Sequence, residues 1–178
     1  MQYRAPLMIE HRLIERMIAL INKELTGIEQ SNRTDPLLID TMVDFIRMYA
    51  DRTHHGKEED ILFRDLKKKT LDQTDLAVLN ELIEEHVFGR KNTAALVEAN
   101  HRYRNGDHSA LHIIAEKLRI MADFYPKHIR KEDKEFFPSI MKYLSDKEQQ
   151  MMLDEFWEFD RKLIHEKYET IVNLLSNS

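Results

Sequence analysis

Apolar residues return every three or four positions along this chain, with polar residues between them. In the first segment, residues 7–26, Leu7, His11, Ile14, Ile18, Ile21 and Leu25 fall on one line, the signature of a helix face. Gly27 and the polar run through Asp35 and Pro36 are expected to end this helix, and Pro36 suits the first turn of the next. A second helix is expected from about Leu37 to about Lys69, with Val43, Ile46, Ala50, His54, Glu58 and Ile61 as its stripe. Thr70 to Thr74 breaks the pattern, and Asp72 or Thr74 is the expected cap of a third helix. That helix runs to about Tyr103 with Leu76, Leu79, Ile83, His86, Arg90, Thr93 and Val97 in line.

Asn105-Gly106 is a turn signal, and Asp107 can cap the next helix. This fourth helix carries Ile114, Leu118, Met121, Tyr125, His128, Glu132 and Glu135 on one face, and Pro126 inside it removes a backbone donor and is expected to kink it. Ser145-Asp146-Lys147-Glu148 has the spacing of a capping box and opens a fifth helix. Leu153, Phe156, Trp157, Leu163, Ile164, Ile171 and Leu174 or Leu175 are its expected buried residues. No strand-like alternation of useful length occurs. Long helices with short connections predict an all-α, up-down-up-down four-helix bundle over about residues 5–145 of one domain spanning 1–178. The additional helix, about 146–175, would pack outside the bundle or pair with another subunit. Trp157 and Phe159 on its adjoining faces leave a homodimer open.

Composition narrows the function. Only 4 Gly and 4 Pro in 178 residues, with 33% charged residues, fit a helical chain long enough to enclose a core. A net charge of −5 leaves no basic footprint for nucleic acid. The absence of cysteine excludes disulfides, thiolate metal sites, iron–sulfur clusters and cysteine nucleophiles. No apolar run approaches the roughly 20 residues of a membrane span. The N-terminus has no hydrophobic signal core. A cytoplasmic location with no membrane partner is the expectation.

Each of the first four helices places a histidine on its apolar stripe. In an up-down bundle, residues equally far from a connecting loop lie at one level. His11 and His54 lie about 24 and 27 Å from their shared loop, at about 1.5 Å per residue. His86 pairs in the same way with Glu58 and with His128, so all four histidines fall within about one helical turn of each other. His101, His108 and His112 fall far from this layer, the last two despite their His-x-x-x-His spacing, and His165 is expected on the surface or in packing. The layer brings together His11, His54, Glu58, His86, His128 and Glu132. Four imidazoles and two carboxylates exceed a tetrahedral zinc site and suit two six-coordinate ions with bridging carboxylates. Without sulfur ligands, iron or manganese are compatible. Ferritin-type chemistry needs paired Glu-x-x-His motifs that this chain lacks.

These residues and motifs, namely His11, "HHGKEEDILF" on helix two, "EEHVFGR" on helix three and "HIRKEDKEFFP" on helix four, resemble the hemerythrin-like, or HHE cation-binding, family. The resemblance covers essentially the whole bundle. It implies a four-helix bundle enclosing two non-haem iron ions, with room for an oxo or hydroxo bridge, ahead of manganese or zinc, held by the six residues above. It implies a partner among small diatomics (O2, NO or peroxide), with a role in sensing, scavenging or iron handling. Binding is preferred to catalysis. The alternative is a di-iron enzyme of peroxidase, oxidase or iron-centre-repair type, although the repair proteins carry an additional cysteine-containing segment that this sequence lacks.

Two departures stand out. Arg90 occupies the place of the second histidine in the His-x-x-x-His of oxygen carriers, which argues against simple reversible oxygen carriage and implies an iron with one fewer protein ligand. Arg90 would instead act beside the metals, anchored by a carboxylate such as Glu85, and Tyr125 would donate a hydrogen bond to a ligand on the metals. The carriers also place Asp five residues after the fourth-helix histidine; here Glu132 at four is preferred and Asp133 is the reserve. On helix two, His54 continues the apolar stripe, while His55 comes after Asp51 and Arg52. His55 and Glu59 are therefore expected on a wet outer face, with His54→Ala losing metal and His55→Ala largely keeping it.

Overall fold

The computed structural model describes the backbone of residues 3–176; the side chains of Ile164 and of residues 166–176 lie outside the described set, and with them the expectations at Ile164, Ile171, Leu174 and Leu175. The described chain is helical, with no strand among its described residues. Helix α1 spans Arg4–Ser31 and buries Leu7, His11, Ile14, Ile18, Ile21 and Leu25, as its periodicity requires. It does not stop at Gly27. A glycine inside a helix costs only about 1 kcal/mol, and continuing one more turn buries Ile28. The helix ends where Asn32 turns left-handed (φ 52°) and its N–H donates to the Ile28 carbonyl.

Helix α2 covers residues 36–66. Pro36 occupies its first position, and the Asp35 side chain accepts the Leu37 N–H. It is not uniformly α: Ile46–His55 and Glu58–Phe63 are wound as π-helix. Residues 67–69, expected within this helix, form a turn. Asp72, not Thr74, caps helix α3, Gln73–Arg104, by accepting the Asp75 N–H. Leu76, expected on its buried stripe, sits in the exposed first turn.

Asp107 caps a short 3₁₀ turn, His108–Ala110, that leads into helix α4 over residues 111–140. This helix continues through Pro126 and is π-wound at Glu132–Phe136. Helix α5, Asp146–Ser176, opens with the expected capping box: the Ser145 N–H donates to Glu148 Oε2 at 2.9 Å, and the Glu148 N–H to Ser145 Oγ at 3.4 Å.

The first four helices pack in a ring, α1 against α2 and α4, and α3 against α2 and α4. Helix α5 lies outside it, against the π-wound part of α2. It buries Leu153 and Phe156 as expected, while Trp157 is 66% exposed. Among the described residues, no helix is long and apolar enough to cross a membrane. The interior divides in two. One apolar cluster gathers around Ile14, Ile18, Val43, Leu96, Ile114 and Leu118. The other gathers around Leu7, Phe63, Leu79, Phe136, Phe137 and Phe156. Between them lies a buried layer of histidine and glutamate.

Candidate metal centre

The layer contains two groups of ligand atoms. His11, His54, Glu58 and Glu132 form one; His55, His86 and His128 form the other. All seven side chains are buried. The structure thus brings together the six residues singled out in the sequence and adds His55 as a seventh.

The expectation that His55 faces water is overturned: it is 2% exposed, and its ring stacks on that of His86. The cause is the winding of α2. In an α-helix, neighbouring side chains diverge enough that an inward His54 leaves His55 at the edge of the face. The π-turn at Ile46–His55 puts more residues in each turn and narrows that angle, so both imidazoles enter the interior. A π-turn at Glu132–Phe136 likewise leaves both Glu132 and Asp133 buried.

The two carboxylates span the groups. Glu132 directs Oε2 toward His11 Nε2 at 3.1 Å and Oε1 toward His128 Nε2 at 3.3 Å and His86 Nε2 at 3.9 Å. Glu58 directs Oε1 toward His54 Nε2 at 3.7 Å and Oε2 toward His86 Nε2 at 3.4 Å. These approaches are charged contacts, not hydrogen bonds. Both oxygens of Glu58 and of Glu132 have no hydrogen-bond partner, and neither do His86 Nε2 and His128 Nε2. His11 Nε2 and His54 Nε2 point at each other, 2.8 Å apart.

Four of the five imidazoles are oriented from behind by a carboxylate. His11 Nδ1 donates to Asp133 Oδ1 at 2.8 Å, and His54 Nδ1 to Glu10 Oε2 at 2.9 Å. His86 Nδ1 donates to Glu59 Oε1 at 2.7 Å, and His128 Nδ1 to Glu85 Oε2 at 2.6 Å. His55 Nδ1 lies 3.5 Å from Asp51 Oδ1, an ion-pair distance that is too long for a well-formed hydrogen bond. An ionised carboxylate only accepts, so Nδ1 carries the proton and a neutral ring leaves its Nε2 lone pair facing inward. This is the arrangement that fixes tautomer and ring direction in metal-ligating histidines. None of these five carboxylates was assigned that role from the sequence, because each pairing depends on which helix face meets which.

The electrostatics of the layer without metal are conflicted. Burial pushes the Glu58 carboxyl well up, and the neighbouring Glu132 pushes it further. Burial acts the same way on Glu132, but His128, His11 and His86 outweigh it and hold its carboxyl well down. Burial also opposes charge on His11, yet the hydrogen bond to Asp133 and the close charge of Glu132 push it up to about 9. His55 goes the other way, to about 3, through burial and the nearby His86. Burial and the charge of His11 lower His54.

Arg90 does not pair with Glu85, which is taken by His128 and Lys131. Its Nη1 donates to Asp51 Oδ1 at 3.0 Å and to Glu59 Oε1 at 2.9 Å, the acceptors behind His55 and His86. Glu59, expected outside, is held down to about 2: its burial is outweighed by hydrogen bonds from His86 and Arg90. Tyr125 is buried, and with Arg90, Asp51 and His55 it lines a cavity of about 170 Å³. That volume exceeds the roughly 10–15 Å³ that one water needs on the same measure. His101, His108, His112 and His165 are all exposed.

The donor set fits a pair of metal ions. It has five imidazoles and two carboxylates, no sulfur, and four carboxylate oxygens disposed toward two separate groups of histidines. Such a set suits first-row ions of octahedral preference better than tetrahedral zinc. The family model for the hemerythrin HHE cation binding domain matches residues 5–140. No curated protein matches the chain closely enough to count as a relative.

Proposed function

The chain belongs to the hemerythrin HHE cation-binding family, and on that premise we propose that it binds two non-haem iron ions and uses them to take up O2 or a related diatomic, in sensing, scavenging or iron handling. The observation that carries this reading is the set of six buried atoms without hydrogen-bond partners, four on Glu58 and Glu132 and two on His86 and His128. Each unsatisfied buried polar atom costs about 1–3 kcal/mol. Two cations placed between the histidine groups would engage all six and neutralise two carboxylates that cannot easily ionise side by side.

One ion would be held by His11 and His54, the other by His55, His86 and His128, with Glu58 and Glu132 shared. His55 thus supplies the third imidazole that Arg90 cannot, and the shortfall implied by Arg90 disappears. The ion at His11 and His54 would have one fewer imidazole than the other. When bound, the iron pair supplies a redox-active centre with affinity for diatomic molecules. The protein's own part is orientation and exclusion. Asp133, Glu10, Glu59 and Glu85 aim the imidazoles. The rings of Phe63 and Phe137, stacked on His86 and His11, close one side against water. The Tyr125-lined cavity offers a small ligand space beside His55, with Arg90 at its wall.

Metal analysis and a visible spectrum of aerobically purified protein test the iron reading. Two iron ions per chain with oxygen-to-iron charge-transfer absorption are expected. Stoichiometric zinc that iron reconstitution does not displace would defeat it. Mixing the reduced protein rapidly with O2 or NO is expected to give a saturable spectral change, whereas sustained turnover with peroxide would favour a di-iron enzyme.

A further inference from the structure

Helix α5 begins beyond the region that the family model matches, yet it reaches the metal layer through a buried lysine. Lys57 sits between His54 and Glu58 in sequence and is completely buried. A buried ammonium persists only where opposite charges surround it. Lys57 Nζ pairs with Glu10 Oε1 from α1, and with Asp160 from α5 at 2.9 Å to Oδ1 and 3.0 Å to Oδ2. The Phe156 ring of α5 lies 6.0 Å from the same ammonium. Glu10 is shared: one oxygen holds Lys57, and the other accepts from His54 Nδ1. Helix α5 also crowds the same turn: a Cβ on Gly56 would come within 2.8 Å of Phe159 Cζ, and the ring would have to shift to admit it.

We propose that α5 is a latch on one half of the metal centre, with Asp160 and Lys57 as positioning residues that hold Glu10 against His54 and so retain the ion at His11 and His54. Docked, Asp160 shares the charge of Lys57 and leaves Glu10 free to serve both partners. Undocked, Lys57 has Glu10 as its remaining anionic partner, and the carboxylate is drawn off His54. In the other half, Glu59 and Glu85 anchor His86 and His128 and Asp51 lies 3.5 Å from His55, and among the described residues these contacts involve α2, α3 and α4 but not α5. The two ions therefore differ in lability, and whatever moves α5 acts on one of them.

The latch rests on the two-iron reading. The test uses the whole 178-residue chain, loaded anaerobically with Fe(II) and challenged with a colorimetric ferrous chelator. Asp160→Asn is expected to release one ion about tenfold faster, the lower end of what losing an orienting partner of a metal ligand costs, and the other at the wild-type rate. Asp160→Glu is expected to restore slow release. Gly56→Ala, which displaces the Phe159 ring without touching a charge, is expected to give the same one-ion acceleration. Equal acceleration of both ions would mean general loosening and would overturn the latch. So would wild-type rates in both Asp160→Asn and Gly56→Ala. Wild-type protein that holds fewer than two ions would overturn the two-iron reading and the latch together, whereas two ions with unchanged variants overturn the latch alone.

Discussion

His55 stacks face to face on His86, their ring centroids 3.8 Å apart and their planes 11° from parallel. The contact joins consecutive helices of the bundle and exists because α2 is π-wound just before Gly56. Neighbouring residues His54 and His55 thereby enter different halves of one layer: His54 faces His11, and His55 faces His86 and His128.

Replacing either histidine should therefore cost one ion. His54→Ala and His55→Ala are each expected to lower the iron content from two ions per chain to one, measured by elemental analysis against protein concentration. This reverses the expectation that His55→Ala largely keeps its metal. A His55→Ala protein that holds both ions would show that its imidazole is packing, not ligation.

The carboxylates behind the rings carry a separate prediction. Glu59 accepts from His86 Nδ1 and from Arg90, so Glu59→Gln weakens the orientation of His86 without removing a donor to the metal. A loss of metal affinity of about 10–100-fold is expected, the usual effect of removing such a partner. Competition titration with a chelator of known affinity measures it, and a change of less than twofold would count against the role.

The metal-free protein should carry a proton where the metal goes. His11 is pushed up to about 9 from an ordinary 6.5, against its own burial, by Asp133 and Glu132. A raised folded-state value means that His11 contributes stability fully below its unfolded value of 6.5 and loses it as pH rises through about 9. Between these values the apoprotein is expected to lose stability in urea melts, while apparent metal affinity rises because less proton must be displaced. Calorimetry in buffers of different ionisation enthalpy should register proton release on metal binding at pH 7. The lowered values of His54 and His55 have the opposite sign: both bind protons more readily unfolded, so acid below about 6.5 also favours unfolding.

The apolar wall is expected to matter for stability and geometry together. Phe63 is fully buried, stacks on His86 at 5.7 Å and meets Phe136 edge to face. Phe63→Ala should cost about 3–5 kcal/mol in the metal-free protein, as a large core truncation does. Chemical denaturation measures this directly. A cost under 1 kcal/mol would mean that the neighbouring rings collapse into the space.

Much of this was legible in the chain. The 3.6-residue periodicity located five helices, Asp107 and the Ser145 capping box marked two starts, and counting from the loops put His11, His54, Glu58, His86, His128 and Glu132 at one level. Rise per residue is nearly constant in a helix, so level can be read from sequence. The preference for Glu132 over Asp133 rests on the same periodicity. Both are buried, but Glu132 joins the inward group while Asp133 stands behind His11.

Angle around the helix is less constant than level. The inward turn of His55 depends on π-winding, which the 3.6-residue pattern of the sequence does not announce. The same holds for every pairing across helices: Glu10 behind His54, Glu85 behind His128 in place of Arg90, and Lys57 buried under Asp160. The sequence by itself determined which residues are helical, which are apolar and how high each sits. Only the tertiary structure decided which neighbour each polar side chain meets, because a buried charge takes the nearest partner in space and that distance is set by the packing of separate helices.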